Sequence, residues 1–261
     1  MILHVEARCD VGCQRTGNED MILVGERRIR DATLSTQVEF DPPGERMVMA
    51  VADGMGGAAA GERASEYALT RLAEMMHKAP PDLDGDELCE LLDIWATRTH
   101  ADLLEQGRQD PTLAGMGTTA VGLLLRHGQA WRFHVGDSRL YRLRAGQLQQ
   151  LTPDHSVRQV SGDAQQPSNL LVNSLGGARD SWLECAPIEG GLQPGDRFLL
   201  CSDGLHDVVD GAHIASALGA DRETATRMLV QMARDAGGPD NISALVIDVA
   251  HPKPARVPHS F

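Results

Sequence analysis

The length and charge of the chain set the first limits on its function. Its 261 residues are 42% hydrophobic and 3% aromatic, and 37 Asp and Glu outnumber 24 Lys and Arg, which gives a net charge of −13. A chain of this size buries a sizeable aliphatic core without disulfide support. Proteins that bind nucleic acid or anionic membranes need clustered positive charge, so neither is expected as a partner.

The first residues and the cysteines favour a cytoplasmic protein. Residues 1–10 lack a basic region followed by a long apolar one, and Glu6 interrupts them, so no signal peptide is expected. No run reaches the ~18 apolar residues of a membrane helix. The five cysteines are odd in number, and Cys9 and Cys13 have CxxxC spacing with no second pair for a zinc site. We therefore expect buried, reduced thiols.

Hydrophobic periodicity predicts strands and helices in the order of an α+β fold. In chain order it predicts strands at 21–25 and 47–52, helices at 61–77 and 86–106, strands at 118–126, 131–135, 140–143 and 197–201, a helix at 221–236 and a strand at 242–249. Asp221 fits the N-cap of the last helix. Successive strands without intervening helices indicate antiparallel pairing. The polar segment 152–177 is expected to be a mobile excursion, and the proline-containing residues 251–261 a disordered tail.

Acidic residues stand at the ends of several predicted strands. Those that follow a strand are Asp53, Asp137 and Asp203, and those that precede one are Glu19, Asp20 and Asp240. Each alone fits a turn, because Asp, Asn and Gly favour turn conformations. If the strand ends converge, the carboxylates would repel one another unless cations neutralise them. Oxygen ligands without a His or Cys cluster favour Mg²⁺ or Mn²⁺ over zinc or copper, so the pattern predicts a site for such ions.

Two neighbouring features fit a metal site of this kind. Arg15 lies four residues before Glu19, and a guanidinium beside a metal can hold a phosphate through two hydrogen bonds. A surface arginine paired with one of many acids explains Arg15 equally well. The glycines of segment 54–57 match no phosphate-binding loop, and no lysine follows them. They favour tight backbone at a metal ligand, where Gly54 could coordinate through its carbonyl.

Seven blocks of the sequence resemble type 2C metal-dependent Ser/Thr protein phosphatases and follow the order seen in that family. The blocks are RTGNED (15–20), VADGMGG (51–57), GTTA (117–120), VGDSR (135–139), LTPDHS (151–156), CSDGL (201–205) and DNIS (240–243). The match extends over residues 6–249, and the Asp-Gly-Met-Gly-Gly form resembles the bacterial branch. The resemblance implies one catalytic domain over residues 1–250. It also implies an α+β four-layer sandwich, in which two central antiparallel β-sheets are flanked by pairs of helices.

The resemblance also implies a cofactor site in the cleft between the sheets. It makes Asp53 the carboxylate that bridges two Mn²⁺ or Mg²⁺ ions. Glu19 and the Gly54 carbonyl would hold one ion, and Asp203 and Asp240 the other.

Further roles are implied for three residues around this site. Asp137 matches the acid that helps to hold a third, weaker metal in bacterial relatives. Asp20 would orient metal-bound water from behind the ligands, and Arg15 would bind the substrate phosphate. The implied activity is hydrolysis of phosphoserine and phosphothreonine in proteins by direct attack of a water bridging two metals. The protein would act as a monomer that opposes a bacterial Ser/Thr kinase.

Some departures from the family leave parts of the mechanism and substrate choice open. Relatives carry a histidine just after Asp-Gly or just after Gly-Gly, where this chain has Met55 and Ala58, so the general acid is unassigned. His206 is a candidate by sequence proximity only, and packing at a helix start explains it better. Segment 157–173 is shorter than the usual flap and lacks its His-Pro pair, which leaves substrate selection open.

Two other classes of function remain open. One is a non-catalytic phosphoprotein-binding relative, which the intact set of acids disfavours. The other is a metal-dependent phosphoesterase that acts on a small substrate, which the same two-metal site could support.

Overall fold

A computed structural model describes residues 1–39, 46–126, 128–163, 165–166 and 170–250. The strands within these residues are β1 (Ile2–Asp10), β2 (Met21–Val24), β3 (Arg27–Ile29), β4 (Thr33–Glu39), β5 (Arg46–Ala52), β6 (Gly54–Met55), β7 (Gly117–Thr118), β8 (Ala120–Arg126), β9 (Gln129–Val135), β10 (Arg139–Arg144), β11 (Gln147–Gln150), β12 (Glu184–Pro187), β13 (Arg197–Cys201) and β14 (Ile242–Ala250). The helices are α1 (Ala58–Lys78), α2 (Gly85–Gln109), α3 (Val157–Ser161), α4 (Asp203–His206), α5 (Gly211–Ala217) and α6 (Arg222–Asp235), with a 3₁₀ turn at Pro111–Leu113. The tail expected at 251–261 lies outside the described residues.

Within the described ranges, the strands form two six-stranded sheets whose pairings are all antiparallel. The first sheet has the order β11-β10-β13-β14-β1-β4, and the second has the order β12-β9-β8-β5-β2-β3. The short strands β6 and β7 pair separately beside them. Strand β1 pairs with β14 along its whole length, from Ile2 opposite Ala250 to Asp10 opposite Ile242.

Three apolar clusters separate four layers. The cluster between the sheets contains inward-facing side chains such as Val5, Ile22, Met49, Phe198 and Leu245. A second cluster joins α1 and α2 to the outer face of the second sheet, and a third joins α4, α5 and α6 to the outer face of the first sheet. Burial of these aliphatic faces is the main stabilising contribution. The predicted four-layer α+β sandwich is confirmed.

The predicted helices and strands are all present, with small differences at their ends. Helix α2 starts at Gly85 because Asp84 and Glu87 form a capping box, in which Asp84 Oδ1 accepts from Glu87 N at 2.9 Å and Glu87 Oε2 accepts from Asp84 N at 2.7 Å. Asp221 caps α6 as predicted, because its Oδ1 accepts from Thr224 N at 3.1 Å.

The strands that periodicity did not predict include all four edge strands of the large sheets. These are β11 and β4 in the first sheet and β12 and β3 in the second. An edge strand contacts water along one side and can be short and polar, so its apolar signal is weak. The central strand β1 was also missed, because Glu6 interrupts its apolar residues, although Glu6 is buried between β14 and β4.

The expectation of reduced thiols is wrong for one pair of cysteines. Cys89 of α2 and Cys185 of β12 form a disulfide with their Cα atoms 5.7 Å apart. They are 96 positions apart in sequence, and only the packing of α2 near an unpredicted edge strand brings them together. Cys9 and Cys201 are buried free thiols, as expected, and burial raises the pKa of each to about 12. Cys13 is free and exposed.

The described part of segment 152–177 is tied to its surroundings at several points. Ser156 bridges to Leu171, and Thr118 of β7 bridges to Leu175. Ser156 caps the start of helix α3, because its side chain accepts from Gln159 N at 3.3 Å. The segment therefore begins and ends on the body of the protein, close to the ends of β7 and β9.

Within the described ranges, no helix combines the length and the apolar character needed to cross a membrane.

Candidate metal centre

The acids at the strand ends of both sheets line one cleft. Its volume is about 460 Å³. The sequence-predicted residues that line it are Arg15, Glu19, Asp53, Gly54, Asp137, Asp203 and Asp240. Asp20, the remaining predicted residue, does not line the cleft and is buried. The strand ends therefore converge, because β5, β9, β13 and β14 all present their acid-bearing ends at the same edge of the sandwich.

The backbone of Asp53 is held by the residues that link β7 to β8. The Asp53 carbonyl accepts from Thr118 Oγ1 at 2.8 Å and from Thr119 N at 2.9 Å. Asp53 N donates to Thr119 Oγ1 at 3.1 Å. The Thr119 hydroxyl also lies 2.7 Å from Ser138 Oγ, next to Asp137. These bonds fix the end of β5 and couple it to the β9–β10 turn.

Glu19 is held at its backbone from three sides. Its N–H donates to Asn241 Oδ1 at 2.8 Å, and its carbonyl accepts from Ser65 Oγ at 2.5 Å and from Gly54 N at 3.2 Å. The Asn241 amide also donates to the carbonyls of Val11 and Gly17, both at 3.0 Å. Asn241 thus fixes both ends of the loop that carries Arg15 and leads into Glu19.

Two glycines leave room for the Glu19 carboxylate. A Cβ atom on Gly61 of α1 would lie 1.9 Å from Glu19 Oε2, and one on Gly54 would lie 2.1 Å from the Gly61 carbonyl oxygen. Real Cβ atoms do not approach other heavy atoms so closely. The close approach at Gly54 agrees with the tight backbone expected for segment 54–57, whereas the role of Gly61 was not predicted from the sequence.

Four carboxyl groups of the cleft, those of Glu19, Asp53, Asp137 and Asp203, have raised pKa values. Burial raises the pKa of Asp53, Asp137 and Asp203 above the ordinary Asp range, and neighbouring carboxylates raise it further. The interaction between the carboxyls of Asp53 and Asp203 raises the pKa of Asp53 and lowers that of Asp203, which favours a proton on Asp53. Burial also raises the pKa of Glu19, although the Arg15 charge opposes that shift. Without cations, this cleft therefore retains protons that isolated carboxyl groups would release.

Asp20 lies behind the cleft in a polar but tightly closed environment. Burial raises its pKa to about 7, and a hydrogen bond opposes the shift, because Ser202 Oγ donates to Asp20 Oδ2 at 2.6 Å. The Ser202 hydroxyl accepts in turn from Ser243 N at 3.0 Å. Asp20 is thus oriented by the strand ends β13 and β14, next to Asp203 and Asp240.

The residues of the cleft fit hard divalent cations. Asp203 Oδ1 and Asp20 Oδ1 are buried and have no hydrogen-bond partner, which is costly unless a cation or proton compensates. Among the described residues that line the cleft, none is a His or a Cys. Carboxylate and carbonyl oxygens are the ligands that Mg²⁺ and Mn²⁺ prefer.

Arg15 is the cation that the protein itself supplies to the cleft. Its Nη2 lies 2.7 Å from Asp240 Oδ2, and the hydrogen bond to Asp240 raises the pKa of Arg15. The side chain is 48% exposed, so its remaining donors can reach a phosphate group that enters the cleft.

His206 does not line the cleft. It is buried in α4, where its Nε2 donates to the Asp137 carbonyl at 3.1 Å. His206 therefore packs in the protein interior, as the sequence favoured, but it ends helix α4 instead of starting a helix. It holds the backbone of a cleft residue rather than facing a substrate.

Several residues that hold the site in place were not assigned roles from sequence. They are Thr118, Thr119, Ser202 and Asn241, which bond the backbone or side chain of the predicted acids. All four stand in the sequence blocks that resemble the phosphatase family. Their positions close to strand-end acids, together with their small hydroxyl or amide side chains, are the sequence feature that could have identified them.

Comparison with known proteins identifies the family. The family model described as Protein phosphatase 2C matches residues 28–241. The chain is 33% identical to the serine/threonine protein phosphatase PstP of Mycobacterium tuberculosis, over 95% of this chain and 45% of that protein. It is 30% identical to the protein phosphatase PhpP of Streptococcus pneumoniae, over 95% of this chain and 98% of that protein.

A solved structure supports the same assignment. The PstP catalytic domain in complex with two manganese ions superposes with a TM-score of 0.77 and 31% identity, over 96% of this chain and 99% of that one. Fold, cleft and sequence thus place the chain in the type 2C class of phosphatases. The chain belongs to the protein phosphatase 2C family and is similar to bacterial serine/threonine phosphatases. It spans about 45% of the length of the mycobacterial relative.

Proposed function

We propose that residues 1–250 form a single catalytic domain that hydrolyses phosphoserine and phosphothreonine in proteins. The observation that carries this proposal is the convergence of carboxylates from both sheets on one cleft beside Arg15. A binding surface alone has no need for several buried carboxylates with raised pKa values. A metal-dependent hydrolase does need them.

The proposed cofactor is a pair of Mn²⁺ or Mg²⁺ ions. Asp53 would contact both ions, Glu19 and the Gly54 carbonyl would complete one site, and Asp203 and Asp240 the other. Asp137, together with Asp203, would hold a third and weaker ion. When bound, such ions supply a reactive water at neutral pH and offset the charge that develops on the phosphoryl oxygens.

The other proposed roles belong to side chains around the ions. Arg15 binds the substrate phosphate through its guanidinium and orients it for in-line displacement. Asp20 would orient a metal-bound water from behind the ligands, because its buried Oδ1 lacks a hydrogen-bond partner in the described structure while Oδ2 is held by Ser202. Leu170 and Leu171 form an apolar part of the cleft wall.

The proposed partners are phosphorylated proteins and the bacterial Ser/Thr kinase that modifies them. We propose that the protein is cytoplasmic and monomeric. Its net charge of −13 does not oppose a phosphorylated substrate at the cleft, because two bound divalent ions and Arg15 would offset the negative charge of the carboxylates there.

The direct test is phosphate release from a phosphothreonine peptide by the wild type and by Asp53→Ala, with Mn²⁺ and with EDTA. We expect release by the wild type that requires Mn²⁺ and is abolished in Asp53→Ala. Absence of metal-dependent release in the wild type, with Mn²⁺ binding intact, would leave a phosphoprotein-binding role. Faster hydrolysis of nucleotides or p-nitrophenyl phosphate than of phosphopeptides under matched conditions would support a small-substrate phosphoesterase instead.

The cognate substrates can be sought with the same variant. Phosphoproteins that are retained by Asp53→Ala from a lysate containing the active kinase, and that the wild type dephosphorylates, would be assigned as substrates. Their phosphorylated residues would identify the opposing kinase by its sites.

A further inference from the structure

Beside the cleft, two histidines and a glutamate form a cluster that the proposed reaction does not use. Glu184 of β12 stands opposite His134 of β9 in the sheet, and His155 lies against both. One ligand atom from each residue lies within 4.8 Å of the others, a spacing that could hold a metal ion.

The hydrogen bonds of His155 argue against a metal at this cluster. Gly136 N donates to His155 Nδ1 at 3.2 Å, and Asn173 Nδ2 lies 2.8 Å from the same atom. The Asn173 amide is oriented by Trp182 N, which donates to its Oδ1 at 3.2 Å, so Nδ2 is a donor. Since Nδ1 accepts from both groups, the proton of the neutral ring is on Nε2, 3.2 Å from Glu184 Oε1.

His134 is engaged through Nε2, whereas its buried Nδ1 has no hydrogen-bond partner among the described residues. Its Nε2 donates to the Pro153 carbonyl at 2.9 Å, and burial lowers its pKa to about 4, so the ring is neutral. Neither histidine offers a free Nε2 lone pair to a cation. The cluster is therefore a hydrogen-bond relay from Glu184 through His155 to the Gly136 backbone.

The relay holds the turn that carries a cleft residue. Besides its ring contact, His155 N donates to the Gly136 carbonyl at 3.0 Å, and the next residue, Asp137, lines the cleft. The His155 carbonyl accepts from Val172 N at 2.9 Å, which ties the turn to the chain between Leu171 and Ser174, both in the cleft wall. One ring thus connects the Asp137 turn, the cleft wall and the edge strand β12.

We propose that His155 is a positioning residue that sets Asp137 and the cleft wall through the acceptor Nδ1 of its ring. The proposal rests on the proposed function, because the position of Asp137 matters if it holds a metal. Glu184 supports the ring by accepting its Nε2 proton, and the disulfide of the adjacent Cys185 attaches this strand to α2.

Two substitutions of His155 distinguish the contribution of Nδ1 from that of Nε2. An asparagine side chain places an oxygen near the position of Nδ1, whereas a glutamine side chain places its amide near Nε2. His155→Asn keeps the acceptor for Gly136 N and loses the bond to Glu184. His155→Gln keeps a donor for Glu184 and loses the acceptor for Gly136. Glu184→Gln is the matched control, because it keeps an acceptor for the ring and removes only the charge.

The primary measurement is calorimetric titration of the metal-free variants with Mn²⁺, accompanied by thermal melting to establish that each is folded. We expect His155→Asn and Glu184→Gln to bind Mn²⁺ like the wild type. We expect His155→Gln to bind the weakest of the ions about 10–100-fold less tightly, the range found when groups that orient a metal ligand are removed.

The outcomes distinguish the two proposals. Equal weakening in His155→Asn and His155→Gln, or no weakening in either, would overturn the positioning role of Nδ1. The binding comparison does not depend on turnover. A wild type that binds Mn²⁺ but releases no phosphate from any substrate would overturn the proposed function alone.

Discussion

Arg15 Nη2 and Asp240 Oδ2 form an ion pair at 2.7 Å although the two residues are 225 positions apart. Arg15, the proposed phosphate-binding residue, thus pairs with Asp240, a proposed metal ligand. Both side chains are substantially exposed, at 48% and 34%, and exposed pairs of this kind contribute only about 0–1 kcal/mol. A phosphate group can therefore replace Asp240 as the partner of the Arg15 guanidinium with little loss of free energy.

Replacing Arg15 is expected to weaken substrate binding more than metal binding. Loss of a charged hydrogen-bond donor to phosphate costs about 1.5–3 kcal/mol, equivalent to roughly 10–150-fold in kcat/KM. Arg15→Lys should recover only part of this loss, because a lysine lacks the planar pair of donors. The measurement is steady-state kinetics on a phosphothreonine peptide with saturating Mn²⁺.

The matched control for Arg15 is Arg227, which is exposed on α6 away from the cleft. Arg227→Ala should leave kcat/KM unchanged. Unchanged kinetics in Arg15→Ala would remove this residue from the phosphate site.

Removal of divalent metal is expected to lower the thermal stability of the protein. Without cations, the buried carboxyls of Asp53, Asp137 and Asp203 must stay protonated or repel one another. An ion that binds only the folded protein at 100 times its dissociation constant adds about 2.7 kcal/mol. Melting curves at pH 7.5 with Mn²⁺ and with EDTA should differ by several degrees.

The control for metal removal is a potassium salt at matched ionic strength, which screens charges without binding as a divalent ligand. Asp53→Asn should reduce the shift that Mn²⁺ produces. Identical melting temperatures of the wild type in Mn²⁺ and EDTA would contradict a shared cation site at this cleft.

Gly61→Ala is expected to impair metal binding despite its position in a helix. Alanine favours an α-helix over glycine by about 1 kcal/mol, but here its Cβ would lie 1.9 Å from Glu19 Oε2. Displacement of that carboxylate should weaken Mn²⁺ binding by at least about 10-fold, measured by calorimetry on the metal-free protein.

Gly211→Ala tests whether the effect at Gly61 is local. Gly211 begins α5, and a Cβ there would meet no atom within 4 Å. This variant should bind Mn²⁺ normally and be as stable as the wild type or slightly more so. If both alanine variants bind Mn²⁺ like the wild type, the glycine is not required to seat Glu19.

The contribution of the buried His134 to stability should be sensitive to mild acid. Burial, reinforced by the neighbouring His155, lowers its pKa to about 4 from 6.5. Between these two values the imidazole binds a proton in the unfolded chain but not in the folded protein, so the contribution of His134 to stability falls as the pH decreases through this window. The loss on going from pH 7 to pH 4 is about 3 kcal/mol for this group.

Urea unfolding in EDTA at pH 7 and at pH 4.5 measures this effect. His134→Gln keeps a donor for the Pro153 carbonyl but cannot titrate, so it should lose less stability than the wild type on acidification. His213→Gln, at an exposed position of α5, serves as the control and should behave like the wild type. Equal acid sensitivity of His134→Gln and the wild type would refute the prediction.

Local patterns were sufficient for the central elements. The apolar runs at β5, β8, β13 and β14 are buried on both faces or nearly so, and such runs carry a strong signal. The edge strands β4 and β11 alternate with water-facing polar residues, so composition alone does not separate them from loops. The Cys89–Cys185 disulfide was not predicted for the same reason, because Cys185 lies on the edge strand β12, which the sequence did not reveal.

The residue types of the cleft were evident from sequence because strand-end acids and glycines are local features, and their order resembles that of one family. Their hydrogen-bond partners depend on packing. Asn241 reaches Glu19 across 222 positions, and Ser202 reaches Asp20 across 182. The sequence by itself therefore determined which chemistry the chain carries and which strands form its core. Only the tertiary structure decided how each acid is oriented, and that His155 and His206 hold the Asp137 turn, because these contacts form only when both sheets pack together.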